Sequence, residues 1–155
     1  MPPSPARSIS RGEVVALARR WIGTPYHHQA SRLGAGVDCI GLIRGVWREI
    51  YGREPEALPG YSRDWAEATG AETLIEAARR HLVEIDSTTA RPGDALIFRY
   101  RAHTAAKHAG ILSAGPAENP TLIHAVEGVP VAEVPLGPWW QRRVAAAFAF
   151  PGIID

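Results

Sequence analysis

Apolar residues in the first part of the chain recur at helical spacing, three or four positions apart. Ser10 and Glu13 form an S-x-x-E capping box, in which each residue satisfies a backbone N–H of the first helical turn. The pattern predicts a first helix that ends at Gly23. The residues expected to face the core are Val14, Leu17, Ala18, Trp21 and Ile22.

Two more amphipathic segments follow. Asp38 is placed as the N-cap of a second helix that begins near Cys39 and ends at Gly52. A third helix is predicted from Ala71 to His81, and YSRDWAE before it holds a short helical turn at Trp65. The inward residues of the second helix are Cys39, Ile43, Val46, Trp47 and Ile50, and those of the third are Leu74, Ile75 and Ala78.

The pattern then changes to short apolar segments bounded by Gly and Pro, which is typical of strands. Five segments show it: DALIFRY, HAGILSA, TLIHAVE, VAEVPL and VAAAFAF. Helices followed by strands predict an α+β fold, with helices packed on a mostly antiparallel sheet of five to six strands. We expect a flexible N-terminus at residues 1–9 and a single domain over residues 10–155.

Composition narrows the range of functions. The chain has 155 residues and a formal net charge of +1, which gives no electrostatic argument for binding nucleic acid. Because the chain has a single cysteine, it cannot form an intrachain disulfide. The N-terminus lacks an apolar signal segment, and no run of about 18 apolar residues occurs. We therefore expect synthesis in the cytoplasm without a signal peptide, and no membrane insertion.

The only cysteine, Cys39, stands at the predicted start of the second helix, directly after Asp38. Unpaired N–H groups and the helix dipole at this position stabilise a thiolate, the nucleophilic form of cysteine. A lone cysteine is nevertheless more often a small buried hydrophobic residue than a catalyst. The nucleophile interpretation therefore requires a histidine that acts as its base.

Among the six histidines, His108 and His124 each lie in a strand pattern, and together they flank the turn SAGPAENP. A hairpin centred near Pro116 makes them cross-strand partners on one face, with Cβ atoms about 5 Å apart. Alternation puts Gly110 on that face, where its missing side chain leaves room for a helix end. This is the arrangement of a base and its orienting group. The alternative is that both histidines decorate a half-exposed sheet.

A zinc site is a second interpretation of the same residues. Cys39, His108 and His124, with His27 or His28, offer zinc three or four ligands. No compact ligand pair such as C-x-x-C or H-E-x-x-H is present to anchor such a site. We therefore predict no metal and no cofactor.

As a set, the motifs WIGTPY, DCIGL, GDALIF, HAGI and IHA resemble the NlpC family of papain-like bacterial cell-wall cysteine peptidases, from about residue 12 to residue 152. YSRDW, WWQRR and AFAFPG further resemble its phage-tail branch, which also occurs in gene transfer agents. The resemblance implies a papain-like fold in which Cys39 is the nucleophile, His108 the general base and later acid, and His124 the residue that fixes the tautomer of His108. It also implies that Tyr26 lies beside the oxyanion, although a loop tyrosine packed on the first helix is the alternative. The backbone N–H of Cys39 is the other expected oxyanion donor.

The chain departs from the family pattern at two places. Ile40 stands where many relatives have a serine after the cysteine, and PYHHQA stands where many read PYxWGG. His27 and His28 therefore either line the substrate groove or are exposed loop residues. Asp38 is interpreted as a structural N-cap, because a carboxylate beside the thiol opposes thiolate formation.

The resemblance implies hydrolysis of peptidoglycan stem peptides through a thioester, with the bond between γ-D-glutamate and meso-diaminopimelate as the expected target. It further implies partners among phage-like tail or baseplate proteins, and action in the periplasm or cell wall after assembly into a tail particle. Two alternatives remain. One is an amidase or acyltransferase that uses the same Cys–His pair, and the other is a non-catalytic tail structural protein or wall-binding module.

Overall fold

The computed structural model describes residues 3–54, 72–115 and 119–155. In these residues the helices are α1 (Arg11–Arg19), α2 (Cys39–Tyr51), α3 (Thr73–His81) and α4 (Pro138–Gln141). The strands are β1 (Ser31–Arg32), β2 (Gly36–Val37), β3 (Val83–Ile85), β4 (Ala95–Phe98), β5 (His108–Ala114), β6 (Thr121–Val126), β7 (Val129–Pro135) and β8 (Val144–Ala149). The predicted turn in YSRDWAE and the hairpin centre near Pro116 lie outside the described residues.

Six strands form one sheet in the order β3-β8-β4-β5-β6-β7, and every neighbouring pair in it is antiparallel. β1 and β2 form a separate two-stranded ribbon. The predicted α+β fold is therefore confirmed, and each of the five predicted strand segments contains a strand. The sequence pattern missed β1, β2, β3 and the short helix α4. The flexibility of residues 1–9 stays a prediction, and within that range Ile9 is buried in the core.

The two faces of the sheet carry different apolar clusters. One face packs against α1 and α2, through residues that include Leu42, Val46, Ile111 and Ile123. On the other face, Phe98 and Leu122 pack with residues that include Leu96, Leu112 and Trp140. None of the described helices has both the length and the apolar character needed to cross a bilayer.

The predicted boundaries of α2 are confirmed by its caps. The Asp38 carboxylate accepts a hydrogen bond from the backbone N–H of Gly41, and Gly52 ends the helix in the left-handed conformation at φ 83°. The capping box of Ser10 and Glu13 is also present at the start of α1. In α3 the three predicted inward residues are buried, and the helix begins at Thr73.

The end of the first helix was predicted wrongly. α1 ends at Arg19, and Ile22, which was expected in the core, is 44% exposed. The reason is the backbone N–H of Gly23, which donates to the carbonyl of Val131 in β7 at 2.8 Å and turns the chain toward the sheet. Gly23 adopts φ 91°, a conformation that favours glycine.

Trp21, which follows the end of α1, packs closely on α2 at Gly45. A Cβ atom at this position would lie 2.1 Å from a ring carbon of Trp21, and that indole is 3% exposed. The bare backbone of Gly45 is therefore the surface on which Trp21 packs. This contact fixes how α2, and hence Cys39 at its start, is placed relative to the rest of the core.

Gly45→Ala tests this contact. We expect it to destabilise the protein by about 1–3 kcal/mol, because overpacking outweighs the better helix propensity of alanine. The matched control is Gly12→Ala in α1, where the nearest neighbouring atom to an added Cβ would be 3.8 Å away. That variant should be neutral or more stable by up to about 1 kcal/mol. Urea unfolding measures both, and a Gly45→Ala protein as stable as the wild type would contradict the assignment.

Candidate active site

Cys39 is the first residue of α2 and is partly buried where this helix meets the start of β5. Its Sγ lies 3.8 Å from the carbonyl oxygen of Lys107, and the backbone N–H of Ala109 also interacts with it. These two residues flank His108 in sequence. The fold therefore brings the cysteine to the strand segment that carries the predicted base.

The Asp38 carboxylate fixes the start of α2. One oxygen accepts from the backbone N–H of Gly41 and the other from the backbone N–H of Gln29, each at 2.7 Å. Gln29 has φ 64° and is the only non-glycine residue with positive φ among those the structure describes. Such a conformation costs of order 1–3 kcal/mol and persists only where the surroundings impose it. Asp38 therefore acts as the structural N-cap that the sequence predicts.

Gly41 lets the preceding loop lie directly on the helix. A Cβ atom there would be 1.9 Å from the carbonyl oxygen of Ala30. In addition, the Ser31 hydroxyl donates to the carbonyl oxygen of Gly41 at 2.6 Å. The loop before Cys39 is thus bonded to the same helical turn that carries the sulfur.

His108 and His124 form a buried pair on neighbouring strands. His108 Nε2 lies 2.9 Å from His124 Nδ1, and the two residues are 3% and 6% exposed. With Nε2 held by His124, the predicted role of His108 as a base falls to its Nδ1 atom. The prediction that these histidines lie together on one face is confirmed, and a half-exposed sheet surface is excluded by their burial.

The predicted register of the two strands was wrong by two residues. His124 pairs with Gly110, not with His108. The predicted register would have set Pro120 inside the ladder opposite Leu112, where proline has no N–H to donate. Instead β6 begins after Pro120, at Thr121. His108 and His124 are therefore offset by two residues in the strand pair, which keeps both side chains on one face of the sheet. Their rings meet across the diagonal between the two strands.

The role expected of Gly110 was also wrong. A Cβ atom at Gly110 would lie 2.8 Å from Leu122 Cδ1 and 3.0 Å from the carbonyl oxygen of Ile123. The missing side chain therefore makes room for Leu122 of the neighbouring strand and not for the end of α2.

Burial keeps the thiol and both imidazoles neutral. Burial and the neighbouring Asp38 charge raise the pKa of Cys39 to about 12. Burial lowers the pKa of His108 to about 3, with a further contribution from His124, and burial lowers the pKa of His124 to about 4. The predicted thiolate stabilisation at the helix start is thus outweighed. At neutral pH the site rests as a thiol and a neutral imidazole.

The sequence interpretation missed an aromatic wall around the histidines. Tyr100 stacks on His108 with ring centroids 5.8 Å apart at 25°. Trp140 of α4 lies 5.3 Å from the ring of His108 and 5.1 Å from that of His124. Phe98 pairs with His108, and side chains two residues apart in an extended strand point to the same face of the sheet. This alternation would have placed Tyr100 on the same face as His108. Nothing in the sequence pattern around Trp140 indicates that its ring would contact the histidines.

The remaining predicted residues lie in the loop before α2. Tyr26 is partly buried against the core and forms a backbone bridge with Val37, and it lies near enough to Tyr100 to affect its pKa. His27 is exposed, with its Cβ over Gly36. His28 Nδ1 lies 3.9 Å from Asp38 Oδ2. His28 therefore lies beside Asp38, the N-cap of α2, and the place of Tyr26 beside the oxyanion stays a prediction.

The zinc interpretation finds no support in the placement of side chains. Over residues 3–54, 72–115 and 119–155, no three His, Cys, Asp or Glu side chains are grouped so that they could hold a metal ion. His124 directs Nδ1 at the ring of His108 and not at a shared centre with Cys39.

Comparison with known proteins identifies similar folds. The model of the NlpC/P60 family matches residues 23–148. The NlpC/p60 domain of the peptidoglycan hydrolase SagA is 24% identical, with a TM-score of 0.63 over 92% of this chain and 100% of that domain. A search of curated proteins finds no match.

Two further solved structures are similar over part of their length. A lipoprotein-like NLP/P60 family protein of Staphylococcus aureus is 23% identical, covers 100% of this chain and has a TM-score of 0.57. NlpC2 of Trichomonas vaginalis is 18% identical, covers 94% and has a TM-score of 0.59. This chain spans only 45% and 49% of those two chains. At these identities the likeness supports the fold alone.

Asp38→Asn tests the electrostatics of the thiol. Removing the charge should lower the pKa of Cys39 and raise its alkylation rate below that pKa. The gain should be about threefold to fourfold per unit of pKa, because lower intrinsic nucleophilicity offsets part of the tenfold gain in thiolate. The measurement is the rate of iodoacetamide alkylation as a function of pH.

Asp86→Asn is the matched control for this variant. Asp86 also caps a short helical turn, through the backbone N–H of Thr88, but it is exposed. Its alkylation profile should follow that of the wild type. An Asp38→Asn profile that is unchanged, or shifted to higher pH, would show that the Asp38 charge does not act on the sulfur.

Proposed function

This chain belongs to the NlpC/P60 family, and from that membership we propose that it is a cysteine peptidase that hydrolyses peptidoglycan stem peptides. The observation that carries the proposal is the contact of 2.9 Å between His108 Nε2 and His124 Nδ1, on the strand segment that Cys39 touches. A nucleophile, a base and a group that orients the base are the parts that such a reaction needs.

The tautomers of the two histidines follow from this contact. For Nδ1 of His108 to accept a proton, its neutral ring must carry the hydrogen on Nε2. That Nε2–H donates to His124 Nδ1, so neutral His124 carries its own hydrogen on Nε2. When His108 becomes an imidazolium, the same hydrogen bond stabilises the positive charge. His124 therefore holds His108 in the tautomer that works as a base.

The first half of the reaction forms a thioester. His108 Nδ1 takes the thiol proton while Cys39 Sγ bonds to the carbonyl carbon. Proton transfer accompanies attack because the resting thiol is neutral. The oxyanion accepts from the backbone N–H of Cys39 at the helix start, with the Tyr26 hydroxyl as second donor. The C–N bond then breaks, and His108 gives its proton to the leaving amine.

The second half releases the acid. Water attacks the thioester carbonyl as His108 takes one of its protons, the C–S bond breaks, and the proton returns to Cys39. The target bond in our proposal is the one between γ-D-glutamate and meso-diaminopimelate. SagA, whose domain has a similar fold, is named a peptidoglycan hydrolase, which supports a substrate of this class.

We further propose that a phage-like tail carries the protein to the wall. The motifs YSRDW, WWQRR and AFAFPG support membership in the phage-tail and gene transfer agent branch. Synthesis then takes place in the cytoplasm, tail or baseplate proteins take up the chain, and it acts in the periplasm or cell wall.

Alanine variants test the catalytic assignment. Cys39→Ala should abolish hydrolysis of purified muropeptides while keeping the fold, because the residue is small and partly exposed. His108→Ala should lose activity by about 10²–10⁴-fold, and His124→Ala by less, since an orienting residue matters less than the base. Mass spectrometry of the fragments identifies the bond cleaved, and circular dichroism verifies folding.

The outcomes also separate the alternatives. Cleavage at an amide outside the stem peptide bonds, or transfer to an amine acceptor, would indicate an amidase or acyltransferase. Binding of muropeptides without turnover would indicate a wall-binding module. Activity that survives in Cys39→Ala, or is lost with a chelator, would contradict the thiol mechanism.

Purified particles test the delivery proposal. Phage-like tail particles from the source organism should contain this chain when their proteins are identified by mass spectrometry. Its absence from particles whose other tail proteins are all detected would contradict tail delivery without affecting the peptidase assignment.

A further inference from the structure

A cleft of about 440 Å³ shares Tyr100 with the aromatic wall of the active site. Arginines are prominent in its lining, and no acidic residue among those the structure describes lines it. The lining residues are Arg99, Tyr100, Ala102, Arg142, Arg143, Val144 and Ala145.

The cleft adjoins the candidate site through Tyr100. The ring of Tyr100 stacks on His108, the proposed base. Ala145 packs on the same apolar cluster as Cys39. Tyr100 is thus shared by the candidate site and the cleft, and a peptide bound at the site that passes this ring meets the arginines.

Two of the arginines are held in place. Arg99 bonds to the Glu72 carboxylate and to the carbonyl oxygen of Thr104. Arg143 donates to the carbonyl oxygens of Tyr100 at 3.3 Å and Trp139 at 2.9 Å, and its guanidinium lies 3.8 Å from the centre of the Trp139 ring. Neither side chain needs to be ordered when a ligand binds, so each acts as a fixed positive charge.

Arg142 differs because its guanidinium is exposed and forms no ion pair with any residue that the structure describes. Within residues 3–54, 72–115 and 119–155, Glu72 is the carboxylate bonded to a cleft arginine, and it already accepts from Arg99 and from the backbone N–H of Ala106. The cleft therefore has an excess of positive charge and a guanidinium with open donors. A planar guanidinium of this kind binds a carboxylate through two parallel hydrogen bonds.

We propose that this cleft binds a free carboxylate of the substrate peptide, and that Arg142 donates the hydrogen bonds that recognise it. The inference rests on the proposed function for the identity of the peptide. Two groups of this chemistry flank the proposed target bond: the α-carboxylate of γ-D-glutamate and the free carboxylates of meso-diaminopimelate. Both are converted to uncharged carboxamides when the stem peptide is amidated.

The test compares stem peptides that differ only in one carboxylate. Two matched pairs are used, one with the glutamate α-carboxylate or its carboxamide, and one with the side-chain carboxylate of diaminopimelate or its carboxamide. The wild type should prefer the carboxylate in at least one pair by about tenfold in kcat/KM. Arg142→Gln should reduce that preference toward one, and Arg142→Lys should keep part of it. Arg20→Gln, an exposed arginine outside the cleft, is the control.

Binding to Cys39→Ala, measured by calorimetry with the same four peptides, separates the two proposals. If Cys39→Ala binds the carboxylate peptides more tightly and Arg142→Gln removes that preference, the cleft proposal is supported. This holds even if the wild type cleaves no peptide, because absence of cleavage would refute only the peptidase assignment. Equal binding and equal kcat/KM within both pairs would overturn the cleft proposal. An equal loss on all four peptides in Arg142→Gln would also overturn it, because it would indicate general attraction of anions.

Discussion

The buried carboxylate of Asp38 joins the start of α2 to the loop before it, and the position of the sulfur depends on this junction. Its two oxygens accept from Gly41 in the helix and from Gln29 in the loop. Loss of the acceptor for Gly41 would leave a buried N–H unsatisfied, which costs about 1–3 kcal/mol. The same charge raises the pKa of the adjacent thiol. Burial is the larger cause of the raised thiol pKa, and the Asp38 carboxylate that positions Cys39 adds to it.

A neutral resting site changes what the histidine pair must do. Ionisation before the substrate reacts is disfavoured, because the buried surroundings of Cys39 and His108 stabilise a thiolate and an imidazolium poorly. In the proposed mechanism, charge then develops only as the sulfur bonds to the substrate, when the helix-start amide stabilises the oxyanion. His124 and the aromatic wall of Tyr100 and Trp140 hold the base in place for that moment.

The helices and strands with clear periodicity could be predicted because local sequence determines them. Asp38, Gly52 and the capping box set helix boundaries through contacts within a few residues. The register of β5 and β6 could not be predicted, because it depends on Pro120 lying outside the hydrogen-bonded strand pair, so that β6 begins at Thr121. Trp140 was missed because α4 meets the histidines only through long-range packing. The end of α1 was missed because a bond to β7 decides it.

In the proposed mechanism, the sulfur of Cys39 bonds covalently to the substrate with help from His108. Intact-protein and peptide mass spectrometry of an acid-quenched reaction with a stem tetrapeptide tests it most directly. We expect a transient mass increase equal to the acyl fragment, confined to the peptide that contains Cys39 and reversed by hydroxylamine. Product formation with no such adduct under rapid quenching, or an adduct on another residue, would contradict it.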